Sequence, residues 1–159
     1  MLSESFKNHI NTLLPEPITQ VIVLTGGDIN DVYKLQTPEG NYVIKLNDAN
    51  AFPNMFELEK LGLEHIAATK TFTVPTPLHT GTYQDKSFLI LEYIKSAPKQ
   101  RDFAAVFGQK LARMHQHTAN FGFEQDNYIG SLQQLNAKES NALDFFRYQR
   151  LEPQFKMAQ

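Results

Sequence analysis

Gly26 to Glu59, GGDINDVYKLQTPEGNYVIKLNDANAFPNMFELE, holds a glycine pair between two strand-like runs, a lysine in a third run and a carboxylate on the helix that follows. Val21-Ile22-Val23-Leu24 is apolar and β-branched, as strands are. Gly26-Gly27-Asp28-Ile29-Asn30 interrupts it with turn formers, and Val32-Tyr33-Lys34-Leu35 resumes a period of two. Thr37-Pro38-Glu39-Gly40-Asn41 reads as a turn and Tyr42-Val43-Ile44-Lys45-Leu46 as a third strand. Two consecutive hairpins predict an antiparallel meander, with the glycine-bearing loop folded over one face near Lys45.

The following helix, read over about residues 52–69, sharpens this. At roughly 100° per residue, Phe52, Phe56, Leu63, Ile66 and Ala67 share one face, with Glu59 at its centre and Glu57 well outside. A carboxylate on an apolar stripe costs free energy unless it meets a cation or donors. Lys45 is the nearest cation from the preceding strand. The spacing therefore points to a Lys45–Glu59 ion pair beside a glycine loop, the arrangement with which kinase-like enzymes hold ATP phosphates. The alternative puts Glu59 at the exposed end of a tilted helix and Lys45 on the solvent face of the sheet. Spacing alone leaves both open.

Working outward, Leu2, Phe6, Ile10, Leu13 and Leu14 repeat at helical spacing until Pro15 and Pro17, which predicts a helix against the outside of the sheet. Asn47-Asp48-Ala49-Asn50 links the third strand to the inserted helix, and several of these residues could cap it. Val74-Pro75-Thr76-Pro77 must be extended. Strands follow over about 78–83 and, after a turn at Gln84-Asp85-Lys86, over Ser87–Leu91, ending in Glu92-Tyr93-Ile94. This gives a five-stranded antiparallel sheet with one helix inserted after the third strand. Lys95 to Gln100 is polar, contains Pro98 and reads as a linker. Beyond it, Phe103, Val106, Phe107, Leu111 and Met114 form a helical apolar stripe. His115 and His117 point in different directions and are structural rather than a metal pair. Asn120 to Ser131 is aromatic and glycine-punctuated without a clear period, an ordered corner more than a binding wall. Helix returns from about Ser140, with Leu143, Phe146 and Arg150, until Pro153 breaks or kinks it.

Bulk properties exclude more than they identify. The chain has 159 residues, 42% of them hydrophobic, which suits a packed core. Fifteen Lys and Arg against 17 Asp and Glu leave a net charge of -2, so no basic surplus argues for nucleic acid or a membrane surface. No cysteine is present, which removes disulfides, thiol catalysis and Cys-ligated zinc. With neither a signal peptide nor a long apolar run, a cytoplasmic location is expected.

The order of glycine loop, Val43-Ile44-Lys45, helical Glu59, Val74-Pro75-Thr76-Pro77 and Leu89-Ile90-Leu91-Glu92-Tyr93-Ile94 resembles the amino-terminal lobe of protein-kinase-like small-molecule kinases, among them aminoglycoside phosphotransferases and choline kinases. Leu111-Ala112-Arg113-Met114-His115, Asp126-Asn127-Tyr128-Ile129-Gly130 and Phe145 to Gln154 narrow the resemblance to the fructosamine kinase (ketosamine-3-kinase) family, over about residues 15–159. The last two stretches are specific; the Lys–Glu pair and hinge are common to the superfamily. The resemblance implies an α+β fold: a kinase-like lobe over 1–94, a hinge over 95–101 and a partial helical lobe over 102–159.

It also implies an ATP site. Gly26, Gly27, Asp28, Ile29 and Asn30 would form the nucleotide loop, although this loop departs from the Gly-x-Gly-x-x-Gly pattern. Lys45 would contact the α- and β-phosphates, and Glu59 would hold Lys45. The Glu92 carbonyl and Ile94 N–H would meet the adenine edge, Tyr93 lying between them and Leu91 behind the base. The implied substrate is a small-molecule or protein-linked ketosamine, phosphorylated on its sugar 3-hydroxyl in a deglycation reaction. Family members place a His-Gly-Asp catalytic loop and a magnesium-binding Asp further on; here no His is followed two positions later by Asp, no Asp five positions later by Asn, and no Asp-Phe-Gly occurs. The expectation is an amino-terminal portion, inactive alone, with ATP-contacting groups but no catalytic residue and no ligand for Mg. Uncovered apolar faces on the helices of 102–117 and 140–159 favour a homodimer. The competing readings are an aminoglycoside- or choline-type kinase and a non-catalytic nucleotide-binding or interaction module.

Overall fold

A computed structural model describes residues 2–25 and 29–158, in two compact units, Met1–His115 and Gln116–Gln159. The first unit is built on a sheet of β1 (Gln20–Leu24), β2 (Asp31–Gln36), β3 (Asn41–Asp48), β4 (Pro77–Tyr83) and β5 (Lys86–Glu92). Its strand order is β1-β2-β3-β5-β4, antiparallel throughout. The α+β architecture is the one the sequence implies: a meander, an inserted helix α2 (Met55–Ala68), then a hairpin whose second strand enters beside β3. The Thr37 backbone N–H and hydroxyl both bond to the Gly40 carbonyl to close the β2–β3 turn, and Gln84 takes φ 56° in the β4–β5 turn.

Alternation assigns the two faces of the sheet. Leu35, Ile44, Leu46, Phe88 and Ile90 face helix α1 (Glu4–Asn11) and form one core with Phe6, Ile10 and Leu14. Ser3 caps α1 by accepting the Phe6 N–H at 3.2 Å. The helix stops at Asn11, ahead of the expected prolines, because the Thr12 N–H and hydroxyl both turn back to the His9 carbonyl. Asn11 Oδ1 then accepts the Ile18 N–H at 2.8 Å, which ties the connection into β1. The other face carries Val43, Lys45, Leu89 and Leu91 and receives α2, whose Met55 and Phe56 are buried.

Helix α2 begins later than its apolar stripe suggests. Phe52 lies before it, and Asn54 precedes its first turn in a left-handed conformation, φ 59°, without a side-chain capping bond. The Asp48 carboxylate instead accepts the N–H groups of Asn50 and Ala51, at 2.8 and 2.9 Å. Ala67, at the far end of the expected stripe, is exposed. Helix α3 (Phe103–Met114) lies within the first unit and buries no residue, leaving Phe103, Val106 and Phe107 exposed.

The second unit departs from the sequence reading at the aperiodic loop and refines it at Pro153. The aperiodic loop opens a short hairpin that runs past Ser131, β6 (Asn127–Ile129) and β7 (Leu132–Gln134), turning at Gly130 with φ 62°. Pro153 does not end the helix: α4 (Ala142–Phe146) widens into a π-helical turn over Arg147–Leu151 and continues as α5 (Glu152–Met157), with Pro153 in its first turn. Proline has no N–H for the Gln149 carbonyl four residues back, and the Arg150 guanidinium donates to that carbonyl at 2.8 Å.

Candidate functional site

Lys45 and Glu59 meet. Lys45 Nζ donates to Glu59 Oε1 at 2.6 Å, with the side chains 27% and 28% exposed. β3 aims Lys45 at the α2 face of the sheet, and α2 presents Glu59 on the turn after the buried Phe56. The pair is only partly withdrawn from bulk water. The solvent-facing alternative for the two residues does not hold.

Of the loop residues expected at the site, Gly26, Gly27 and Asp28 lie outside the described residues. Ile29 and Asn30 are half-buried in a bend leading into β2. Asn30 Oδ1 accepts from Asn47 Nδ2 at 2.7 Å, and the same amide group lies 3.5 Å from Met55 Sδ. Asn47 is buried two residues beyond Lys45 on the same sheet face, and the Ser87 hydroxyl donates to its carbonyl at 3.4 Å. It therefore joins the end of the loop, β3, β5 and the start of α2. In the sequence Asn47 reads as the first residue of a linker; its place two positions after Lys45, on the same strand face, is the available signal.

At the other end of the row, buried Leu91 pairs with Val43 on β3 and Pro77 on β4. Glu92 closes β5: its N–H donates to the Thr76 carbonyl at 2.9 Å, and its carboxylate accepts the Thr76 hydroxyl at 2.9 Å and the Thr76 N–H at 3.3 Å. Tyr93 is half-buried and Ile94 exposed, in a segment without regular structure that runs to α3. A cleft of about 300 Å³ beside α1 and a cavity of about 440 Å³ beside Phe72 and Phe107 contain none of these residues. Among the described residues no group of three or more His, Asp or Glu is placed to hold a metal ion. No helix among them is long and apolar enough to cross a membrane.

The two stretches that carry the specific resemblance converge inside the second unit, on a residue outside both. Buried Asn136 donates through Nδ2 to the Gln125 carbonyl, Asn127 Oδ1 and the Gln134 carbonyl, at 2.9, 3.1 and 3.2 Å. Its Oδ1 accepts from the Phe123 N–H at 3.1 Å and Arg150 Nη2 at 2.8 Å, and its own N–H donates to Asp126 at 2.6 Å. Arg150 also donates to the Leu135 carbonyl and lies 4.5 Å from the Phe145 ring centroid. Partial burial disfavours its charged form and shifts its pKa down. Gly122, at φ 81°, faces the Phe145 ring so closely that a Cβ would lie 2.6 Å from it. A lone Asn136 gave no sequence signal.

Comparison with known proteins agrees with this architecture. The sequence model of the fructosamine kinase family matches residues 2–159. A probable ketoamine kinase from Synechocystis is 39% identical over 137 residues, 85% of this chain and 46% of that protein. A chloroplastic protein-ribulosamine 3-kinase from Arabidopsis thaliana is 39% identical over 145 residues, 89% of this chain and 44% of that protein. A candidate fructosamine-3-kinase structure from Haemophilus somnus superposes with a TM-score of 0.85 at 22% identity, covering 96% of this chain and 53% of that one. Spectinomycin phosphotransferase, solved with ADP and spectinomycin, shares the fold at a TM-score of 0.61 and 12% identity, over 75% of this chain and 39% of that one. The chain spans about half the length of the curated relatives it matches.

Proposed function

The chain belongs to the fructosamine kinase family, and from that premise we propose that it is the ATP-holding portion of a ketosamine 3-kinase. The carrying observation is the Lys45–Glu59 ion pair on the α2 face of the sheet. A lysine fixed by a half-buried carboxylate presents its ammonium in one place, which suits the α- and β-phosphates of ATP. Leu91 and Val43 on the same face provide an apolar seat for the base, and the backbone of Glu92 and Ile94 provides an acceptor and a donor for its edge. Residues 26–30 complete the site as the phosphate loop, and 95–101 is the hinge between a sheet lobe and a helical lobe.

The full reaction in this reading transfers the ATP γ-phosphoryl group to the sugar 3-hydroxyl of a ketoamine adduct, free or on a protein. The names of the relatives support that substrate class. Among the described residues no three His, Asp or Glu side chains gather as a metal cluster, and the sequence has no His-Gly-Asp loop to deprotonate an acceptor hydroxyl. The 159-residue polypeptide therefore binds nucleotide without turning it over. That makes it, in isolation, the non-catalytic nucleotide-binding module that the sequence also allowed. The exposed Phe103 and Phe107 on α3 and, separately, Leu143 and Phe155 in the second unit suit self-association as a homodimer.

Calorimetric titration with ATP tests the reading. Saturable binding is expected for the wild-type chain and at least a tenfold loss for Lys45→Ala, with no phosphorylated ribulosamine or fructosamine formed by either. Equal binding by the two proteins, or Lys45-dependent transfer by the chain alone, would overturn it.

A further inference from the structure

Beyond Glu92 the strand ladder ends, and residues 93–100 have no regular structure to hold them. A hinge that meets a base through its backbone works only if that backbone is fixed before the ligand arrives, since ordering it on binding subtracts from affinity. Two side-chain contacts flank the point where the ladder stops. On the β4 side, the Glu92 carboxylate holds Thr76 through its hydroxyl and N–H. On the β2 side, Lys34 Nζ lies 4.3 Å from the centroid of the Tyr93 ring.

Lys34 is well placed for this. It pairs with Val43, which pairs with Leu91, so the three form a row across the sheet on the face that carries Lys45. Among the described residues Lys34 has no carboxylate partner; its ammonium rests on the Tyr93 ring. The face thus carries two lysines with different neighbours, Lys45 beside Glu59 and Lys34 beside an aromatic ring. An ammonium over a tyrosine ring is held by the ring quadrupole without neutralising either group.

We propose that Lys34 is a positioning residue for the nucleotide base. Through Tyr93 it braces the end of β5 from one side while Glu92 and Thr76 brace it from the other, and the Glu92 carbonyl and Ile94 N–H are thereby preset for an adenine edge. The proposal rests on the nucleotide reading above, and it gives Glu92 and Tyr93 side-chain roles that need no contact with the ligand.

The test uses the 159-residue chain with Lys34→Met, Lys34→Arg, Tyr93→Leu and the Lys34→Met/Tyr93→Leu double variant. ATP affinity is measured beside that of inorganic tripolyphosphate, which has no base, and amide exchange is followed at residues 92–95 without ligand. Lys34→Met and Tyr93→Leu are each expected to weaken ATP about two- to fivefold. The double variant should be no worse than either single change. Lys34→Arg should retain wild-type affinity, tripolyphosphate should be indifferent to all four, and exchange at 92–95 should quicken in the Met and Leu variants. If Lys34→Met weakens ATP while Tyr93→Leu does not, the lysine acts on nucleotide directly and the brace is wrong. Unchanged exchange at 92–95 in both variants also overturns it. Failure of the wild-type chain to bind ATP defeats the nucleotide reading itself, whereas the exchange result bears on the brace alone.

Discussion

Among the described residues of Met1–His115 nearly all side chains withdrawn from water are apolar, with Asn47 and Ser87 as the polar exceptions. Inside Gln116–Gln159 the buried described residues are two amides, Asn136 at 6% exposure and Gln149 at 8%. Gln149 Oε1 accepts the Ala137 N–H and its Nε2 donates to Glu139, so both amides join segments distant in sequence. Apolar burial is non-directional and scales with area, so the sheet unit depends on filled volume. Hydrogen bonds are directional, and an unmet buried partner costs more than a made one gains, so the second unit depends on atom identity.

The largest expected effect tests the volume side of that contrast. Phe88 is buried at the centre of the α1 face, edge-on to Phe6 at 5.9 Å. Phe88→Ala should destabilise the sheet unit by about 3–5 kcal/mol in denaturant unfolding, and Phe88→Leu should recover most of it. Next comes the side governed by atom identity. Asn136→Leu keeps a similar shape but removes every bond made by the Asn136 side chain. It should cost about 2–4 kcal/mol, read as lost exchange protection at residues 123–136. If Asn136→Leu is tolerated as well as Phe88→Leu, the contrast between the units fails.

The smallest effect lies at the polar margin of the first unit. Two backbone N–H bonds, from Ala51 and Asn50, hold the Asp48 carboxyl below its ordinary pKa, with Lys86 adding a smaller pull. A depressed folded-state pKa gives stability that is present above the unfolded carboxylate value and is lost as pH falls through the folded one. Asp48→Ala should therefore lower the melting temperature slightly at pH 7, and the gap should narrow in acid below the ordinary carboxylate range. A gap independent of pH would assign the loss to something other than charge.

Much of the first unit was legible because its signals are periodic. Alternation in Val32–Leu35 and Tyr42–Leu46, and the unbroken apolar run Phe88–Leu91, follow directly from how strands bury one face or both. Glu59 on an apolar stripe pointed to Lys45 for an energetic reason, and the two are joined. What escaped was aperiodic. Asn127–Ile129 and Leu132–Gln134 are three-residue strands of mixed polarity, too short for alternation to register. Asn54 starts α2 from a left-handed conformation with no capping bond, so no capping pattern existed to find. Asn136 gathers partners from residues 123 to 150, an arrangement made only by the folded chain.

The strand order has a consequence for how the protein is made. β3 and β5 are neighbours, yet residues 49–85 must be synthesised between them. A nascent chain on the ribosome thus owns β1 to β3, Lys45 included, well before the strand that shields one whole edge of β3 has been translated. Loop closure over that distance is slow relative to local hairpin formation. In the interval Asn41–Asp48 presents an open, apolar-backed hydrogen-bonding edge to any other chain. Protection from co-translational misassociation therefore begins only once Glu92 has emerged.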